Sequence, residues 1–148
     1  MATEQLMEGT WHIGLTSLGM WRTRADPTLN YLPLPDGSVA DVVAWKGKRG
    51  QRTIVGIDRP RGNGWEWRGV GWVTRFTPSR WSFVAADTAG RWAVSHFEKT
   101  PFTAAGTDVV FREARPGQEL VEQARAACAA HPLTAAFAAG LFAPLRSS

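Results

Sequence analysis

The chain has 148 residues, of which 44% are hydrophobic and 20% charged, and its formal net charge is +4. This length and composition predict one globular domain over residues 1–148. The charge is too small and too dispersed to indicate a nucleic-acid-binding protein. No apolar run reaches the roughly 20 residues that a membrane-spanning helix needs, so no membrane span is expected.

Cysteine usage and the first residues bear on the cellular compartment. Cys128 is the one cysteine, so no disulfide can form within these 148 residues. The segment before Gly9 carries Glu4 and Glu8 and lacks the basic and apolar regions of a secretory signal. The sequence therefore predicts a cytoplasmic location.

Eight short runs of alternating or β-branched residues predict strands, in an order that contains no helix before residue 113. Turn signals such as Pro35-Asp36-Gly37 separate them, because proline presets φ and glycine accepts a positive φ. Gly14 predicts a bulge or a close approach within the first strand. Residues 59–64 are expected to form a loop. The predicted strands cover residues 10–16, 28–34, 38–46, 51–58, 65–75, 80–86, 91–99 and 107–113.

The last part of the chain changes to a helical pattern. After Pro116-Gly117, apolar residues recur at helical spacing from Leu120 to Cys128, and His131-Pro132 ends the pattern. A weaker apolar segment follows over residues 133–145. The prediction is an all-β domain, with strands over about 9–113 and a C-terminal helical segment over about 117–145.

Several motifs resemble those of the lipocalin (calycin) family, especially the bacterial lipocalins. Gly9-x-Trp11 on the first strand is similar to the family's Gly-x-Trp motif, and Arg112 matches the arginine that ends its last strand. Phe83 to Asp87 and Arg91 to Val94 look like the sixth and seventh strands. The resemblance implies an eight-stranded antiparallel up-and-down barrel with a C-terminal helix. It also implies that Gly9, Trp11 and Arg112 close the barrel base, and that the interior is a cup for a ligand.

Eight tryptophans suggest what would line such a cup. In the predicted fifth strand, Trp65 and Trp67 share one face, whereas Arg68 and Trp72 share the other. Which face points inward is left open by the sequence. A small apolar or aromatic molecule is the expected partner, with Arg68 as a polar anchor. The candidate ligand-binding residues are Trp21, Tyr31, Trp67, Arg68, Trp72 and Phe83.

An enzyme on the same scaffold is the alternative hypothesis. A cofactor-free cyclase, isomerase or hydrolase would need titratable groups that converge on the substrate. The candidate catalytic residues are His96, Glu98, Asp58 and Glu66. No histidine pair has metal-ligand spacing and one thiol cannot build a zinc site, so neither a metal nor another cofactor is expected. A purely structural module remains the third interpretation.

Overall fold

Eight antiparallel strands form a closed barrel, and each strand pairs with its neighbours in sequence order. The computed structural model describes residues 3–71 and 77–147. The predicted fold class is confirmed. The strands are β1 (Gly9–Thr16), β2 (Ala25–Pro33), β3 (Val39–Gly47), β4 (Gly50–Arg61), β5 (Gly64–Gly69), β6 (Ser79–Ala86), β7 (Trp92–Phe97) and β8 (Gly106–Phe111). The helices are α1 (Thr3–Leu6), α2 (Gln118–Ala130) and two 3₁₀ segments, Gly19–Thr23 and Ala135–Gly140.

Two predicted boundaries in the middle of the barrel are wrong. The predicted loop over residues 59–64 is mostly strand, because β4 continues to Arg61 and pairs Pro60 with Trp65. β3 stops pairing with β4 at Asp58, so the end of β4 has one partner strand and tolerates proline as an edge does. The fifth strand was expected over residues 65–75, but β5 ends at Gly69, and residues 72–75 lie outside the described part of the chain.

Irregular pairing appears at two places on the first two strands. The register of β1 shifts between Ile13 and Leu15, as expected from Gly14. A Cβ on Gly14 would lie 2.5 Å from the ring of Phe111, so only glycine fits there. β2 begins at Ala25 rather than residue 28, and its register shifts around Asp26, which has a φ of 49°.

The barrel base is closed by the residues that the lipocalin resemblance identified. The guanidinium carbon of Arg112 lies 3.7 Å from the centroid of the Trp11 ring, and Trp11 is fully buried. Arg112 donates hydrogen bonds to the carbonyls of Thr10 and Gln5, and Trp11 Nε1 donates to the carbonyl of Leu6. Gly9 has a φ of +84°, and a Cβ there would lie 3.3 Å from an Arg112 nitrogen.

The C-terminal helix packs on the outside of the barrel. Its buried residues Ala124 and Cys128 join Trp92, Val94 and Phe111 in a second apolar cluster, separate from the barrel interior. The tail then returns to the barrel through bridges at Phe142 and Leu145. Within residues 3–71 and 77–147, no helix is long and apolar enough to cross a membrane.

Candidate functional site

The barrel encloses a cavity of about 450 Å³ that opens beside the first 3₁₀ segment. This size lies within the range of small-molecule sites, about 300–1,000 Å³. The strands build its wall with the side chains that alternate inward, and the 3₁₀ segment and residues 100–103 contribute the rim. The lining residues are Leu18, Met20, Trp21, Arg24, Leu29, Tyr31, Asp41, Val43, Ile54, Trp67, Thr77, Ser79, Trp81, Phe97, Thr100, Phe102, Thr103 and Asp108.

Stacked aromatic rings form one side of this cavity. Tyr31 and Trp81 stack at a centroid distance of 5.8 Å, and Phe97 stacks on Trp81 at 6.0 Å. Phe83 meets Trp81 edge-on at 5.1 Å and reaches toward Trp11 at 6.1 Å. Rings that hold one another in this way present a rigid apolar surface, which suits an aromatic or aliphatic ligand.

The side chain of Trp67 packs against Gly56 on the neighbouring strand β4. A Cβ on Gly56 would lie 2.2 Å from Nε1 and Cε2 of the Trp67 indole. The indole therefore lies against the backbone of β4, where any residue other than glycine at position 56 would displace it. Because Trp67 lines the cavity, Gly56 determines the shape of the cavity wall.

We predict that Gly56→Ala destabilises the protein by about 1–3 kcal/mol, because the indole must leave its packed position. The near-ultraviolet circular dichroism of the variant should also change as Trp67 moves. Gly140→Ala is the control, because a Cβ there meets nothing within 4 Å. If both variants unfold at the same urea concentration and keep the same spectrum, Gly56 does not hold Trp67 in place.

Two buried carboxyl groups face each other between β3 and β4. Asp41 and Asp58 are 4% and 0% exposed, and they share a hydrogen bond. Asp58 Oδ1 also accepts a hydrogen bond of 3.0 Å from Trp81 Nε1. Burial raises the pKa of Asp58, and burial together with the nearby Asp58 charge raises the pKa of Asp41 well above its usual range. Asp41 therefore holds the shared proton and donates it to Asp58.

A third buried carboxyl group, Asp108, lines the cavity from β8. The Thr16 hydroxyl donates a hydrogen bond of 2.6 Å to Asp108 Oδ1. Burial raises the pKa of Asp108 to about 7, despite that hydrogen bond. Tyr31 lies among these acids, and burial and the charges of Asp41, Asp58 and Asp108 raise the pKa of its phenol. Burial thus shifts each of these acidic groups in and beside the cavity toward its protonated form.

The predicted aromatic residues fall in three places. Trp21, Tyr31 and Trp67 line the cavity. Phe83 lies beneath it, packed in the core between Trp81 and Trp11, and does not reach the cavity surface. Trp72 lies outside the described residues. The face of the fifth strand that carries Trp65 and Trp67 is the inward one.

Arg68 does not line the cavity as we predicted, because it alternates with Trp67 and lies on the outer face of β5. Its side chain is 46% exposed and lies 3.8 Å from Glu66. Glu66, a predicted catalytic residue, is on the same outer face and also pairs with Arg61 at 3.3 Å. Neither residue can contact a molecule inside the barrel.

His96 and Glu98 are also outside the barrel. They line an outer groove with Arg80 and Leu133, on the face of β7 that carries Trp92 and Val94. The His96 ring is 6.4 Å from that of Phe137, and burial lowers the pKa of the imidazole. Of the four predicted catalytic residues, Asp58 alone belongs to the interior.

Sequence reasoning missed Trp81, Asp41 and Asp108. Trp81 belongs to no sequence motif, yet it lines the cavity and donates a hydrogen bond to Asp58. A usable signal existed for the two acids, since each is a lone carboxylate at an inward position of an otherwise apolar strand. Among residues 3–71 and 77–147, no group of three or more histidine, cysteine or acidic side chains is arranged to hold a metal ion.

Comparison with known proteins gives likeness in structure without likeness in sequence. No protein-family model and no curated protein sequence matches the chain. Lobster apocrustacyanin A1 superposes with a TM-score of 0.75 at 9% identity, covering 99% of this chain and 81% of that one. A biogenic amine-binding protein gives a TM-score of 0.68 at 15% identity, covering 97% and 81%. The bovine lipocalin allergen Bos d 2 gives 0.63 at 9% identity, covering 96% and 94%.

These matches extend over nearly the whole chain and share its closed eight-stranded barrel. At such low sequence identity, the matches establish the architecture of the chain. Which ligand it binds has to be inferred from the residues that line its cavity. Together with the Trp11–Arg112 contact at the base, they lead to one conclusion: the chain has the lipocalin (calycin) fold.

Proposed function

We propose that this protein binds a small, largely apolar molecule with an aromatic or aliphatic body inside its barrel. The observation that carries the proposal is the cavity of about 450 Å³ walled by Trp21, Tyr31, Trp67 and Trp81. An apolar cup with few polar groups is the usual form of a small-molecule site. The structurally similar biogenic amine-binding protein supports ligand binding on this fold.

Titration with N-phenyl-1-naphthylamine, a fluorescent probe that is uncharged at neutral pH, tests this proposal. We expect saturable binding of one probe per chain, with increased probe emission and energy transfer from the tryptophans. Ile54→Trp should weaken binding at least about tenfold, or about 1.4 kcal/mol, because Ile54 lines the cavity and an indole there would fill it.

Val55→Trp is the matched control for this variant. Val55 is the next residue of β4 but points outward and is 37% exposed, so both variants add one tryptophan on opposite faces of the same strand. Equal probe binding by the two variants would show that the probe lies outside the barrel and would contradict the proposal.

A second candidate is proton-transfer catalysis on an apolar substrate. The observation that favours it is the shared proton of Asp41 and Asp58 beside the cavity, because two carboxyl groups with separated roles can act as acid and base. A cavity ligand incubated with the protein and recovered unchanged would support binding alone. Recovery of an isomer or hydrolysis product, absent with Asp41→Asn, would support catalysis.

A further inference from the structure

The cavity wall contains a buried carboxyl pair. Asp41 lines the cavity, is 4% exposed, and shares a hydrogen bond with the fully buried Asp58. Asp58 also accepts a hydrogen bond from Trp81 Nε1. A carboxyl group in the wall of an apolar cavity is a polar group to which an occupant can donate a hydrogen bond.

Within residues 3–71 and 77–147, few positive charges lie near these acids. No ion pair among the described residues includes Asp41, Asp58 or Asp108. Arg24 is the cationic residue that lines the described cavity, and its guanidinium lies over Trp45 at 4.6 Å, near the rim. Arg112 lies on the far side, over Trp11 at the base.

The remaining wall also favours a cation. Trp21, Tyr31, Trp67 and Trp81 line the same space as the acids. A cation within about 6 Å of an aromatic ring is attracted to the face of that ring, and desolvation strengthens this attraction. Carboxylates and aromatic faces together are the chemistry that recognises an ammonium group attached to an apolar body.

We propose that the ligand of this cavity is an apolar organic amine, bound as its ammonium ion against Asp41, with Asp108 as the second carboxylate. This inference rests on the proposed cavity function and specifies its ligand. Tyr31 lies across the ladder from Asp41 and is placed to accept or donate a further hydrogen bond.

Binding of an ammonium ion should displace a proton from the protein. Burial raises the pKa of Asp41 and of Asp58, and it raises the pKa of Asp108 to about 7. The ammonium favours the ionised carboxylate, so affinity should rise between about pH 5 and pH 8. The other titratable or charged groups near this equilibrium are Asp58, the neutral phenol of Tyr31, Arg24 and Arg112.

Displacement of N-phenyl-1-naphthylamine by three compounds tests the inference. 4-Phenylbutylamine, 4-phenylbutan-1-ol and 4-phenylbutyrate share one apolar body and differ in the charge of the terminal group. We expect the amine to bind at least about tenfold more tightly than the alcohol near pH 8, or about 1.4 kcal/mol. The carboxylate should bind weakest, and calorimetry in buffers of different ionisation enthalpy should detect proton release with the amine.

Asp41→Asn should abolish the preference for the amine while retaining the neutral probe, which shows that the cavity is intact. Asp108→Asn should reduce the preference and the proton release. Glu122→Gln, on the exposed face of α2, is the control and should change neither. Probe binding without amine preference overturns this inference alone. Failure of all four compounds to bind overturns the cavity function and the inference together.

Discussion

The Asp108→Asn variant is expected to be more stable than the parent chain near pH 8, although it removes a native carboxyl group. Asp108 is 2% exposed, and burial raises its pKa to about 7. Asparagine has the shape of the protonated acid and retains an oxygen to accept the Thr16 hydroxyl. The variant therefore avoids the cost of a buried negative charge at alkaline pH.

The sign of the pH dependence follows from that raised pKa. Between about pH 4 and pH 7 the folded protein holds a proton that the unfolded chain has lost, so stability decreases as pH rises. The decrease reaches about 1.4 kcal/mol per pH unit for one group, or about 2–3 kcal/mol between pH 5 and pH 8. His12 and His96, whose pKa values are lowered by burial, act in the opposite direction below about pH 6.5.

Urea unfolding at about pH 5, 6.5 and 8 measures this effect, because comparing the two proteins cancels the contribution of every other group. The free energy of unfolding of the variant should depend less on pH than that of the parent. Glu122→Gln should follow the parent at every pH, since Glu122 is exposed. Parallel pH profiles for the parent and Asp108→Asn would mean that Asp108 is ionised at low cost.

The Arg112→Ala variant is expected to lower the free energy of unfolding by about 2–4 kcal/mol. Its guanidinium covers the Trp11 ring at 3.7 Å, a contact worth about 0.5–2 kcal/mol. It also donates two hydrogen bonds of 3.0 Å to the carbonyls of Thr10 and Gln5, each worth about 0.5–1.5 kcal/mol. Its loss would uncover the indole and open the barrel base.

Two further substitutions show whether the charge of Arg112 or the shape of its guanidinium stabilises the barrel base. One changes Arg112 itself and the other is a surface control. Arg112→Lys keeps the charge over Trp11 but cannot reproduce the planar fork that reaches both carbonyls, so its stability should be intermediate. Arg49→Ala, at the exposed turn between β3 and β4, should change stability by less than about 0.5 kcal/mol. Urea unfolding followed by far-ultraviolet circular dichroism compares all three. An Arg112→Ala curve that overlays that of Arg49→Ala would refute the role of Arg112.

The fold was predictable because strand periodicity, turn residues and the lipocalin motifs agree with one another. The ends of the strands were harder to predict than the fold. Proline and aspartate are typical of loops, and only the pairing with a neighbouring strand shows that Pro60 and Asp26 belong to strands. Trp67 was predicted from the sequence to line the cavity, but the inward face of its strand was left open. The contact between the Trp67 indole and Gly56 shows how that inward side chain is positioned.

The acidic part of the site was not predictable in the same way. Asp41 and Asp58 lie 17 positions apart in sequence and meet because the β3–β4 register pairs Asp58 with Val39. Arg68 was predicted as the polar anchor because it shares a strand face with Trp72 in the predicted fifth strand. Strand alternation instead places it outside, next to Glu66. Inward position, rather than nearness to tryptophan in sequence, determines which polar group a ligand meets.

The up-and-down order of the strands has a consequence for when the cavity exists. Seven of the eight pairings join strands adjacent in sequence, whereas β1 and β8 come from opposite ends of the barrel sequence. Thr16 meets Asp108, and Trp11 meets Arg112, across this last pairing. A chain that has formed only its hairpins has no enclosed interior. A cavity ligand would therefore bind the closed barrel and not the partly folded forms. The ligand would then stabilise the closed barrel against opening by a free energy of RT ln(1 + [L]/Kd), so the open form becomes rarer as ligand concentration rises.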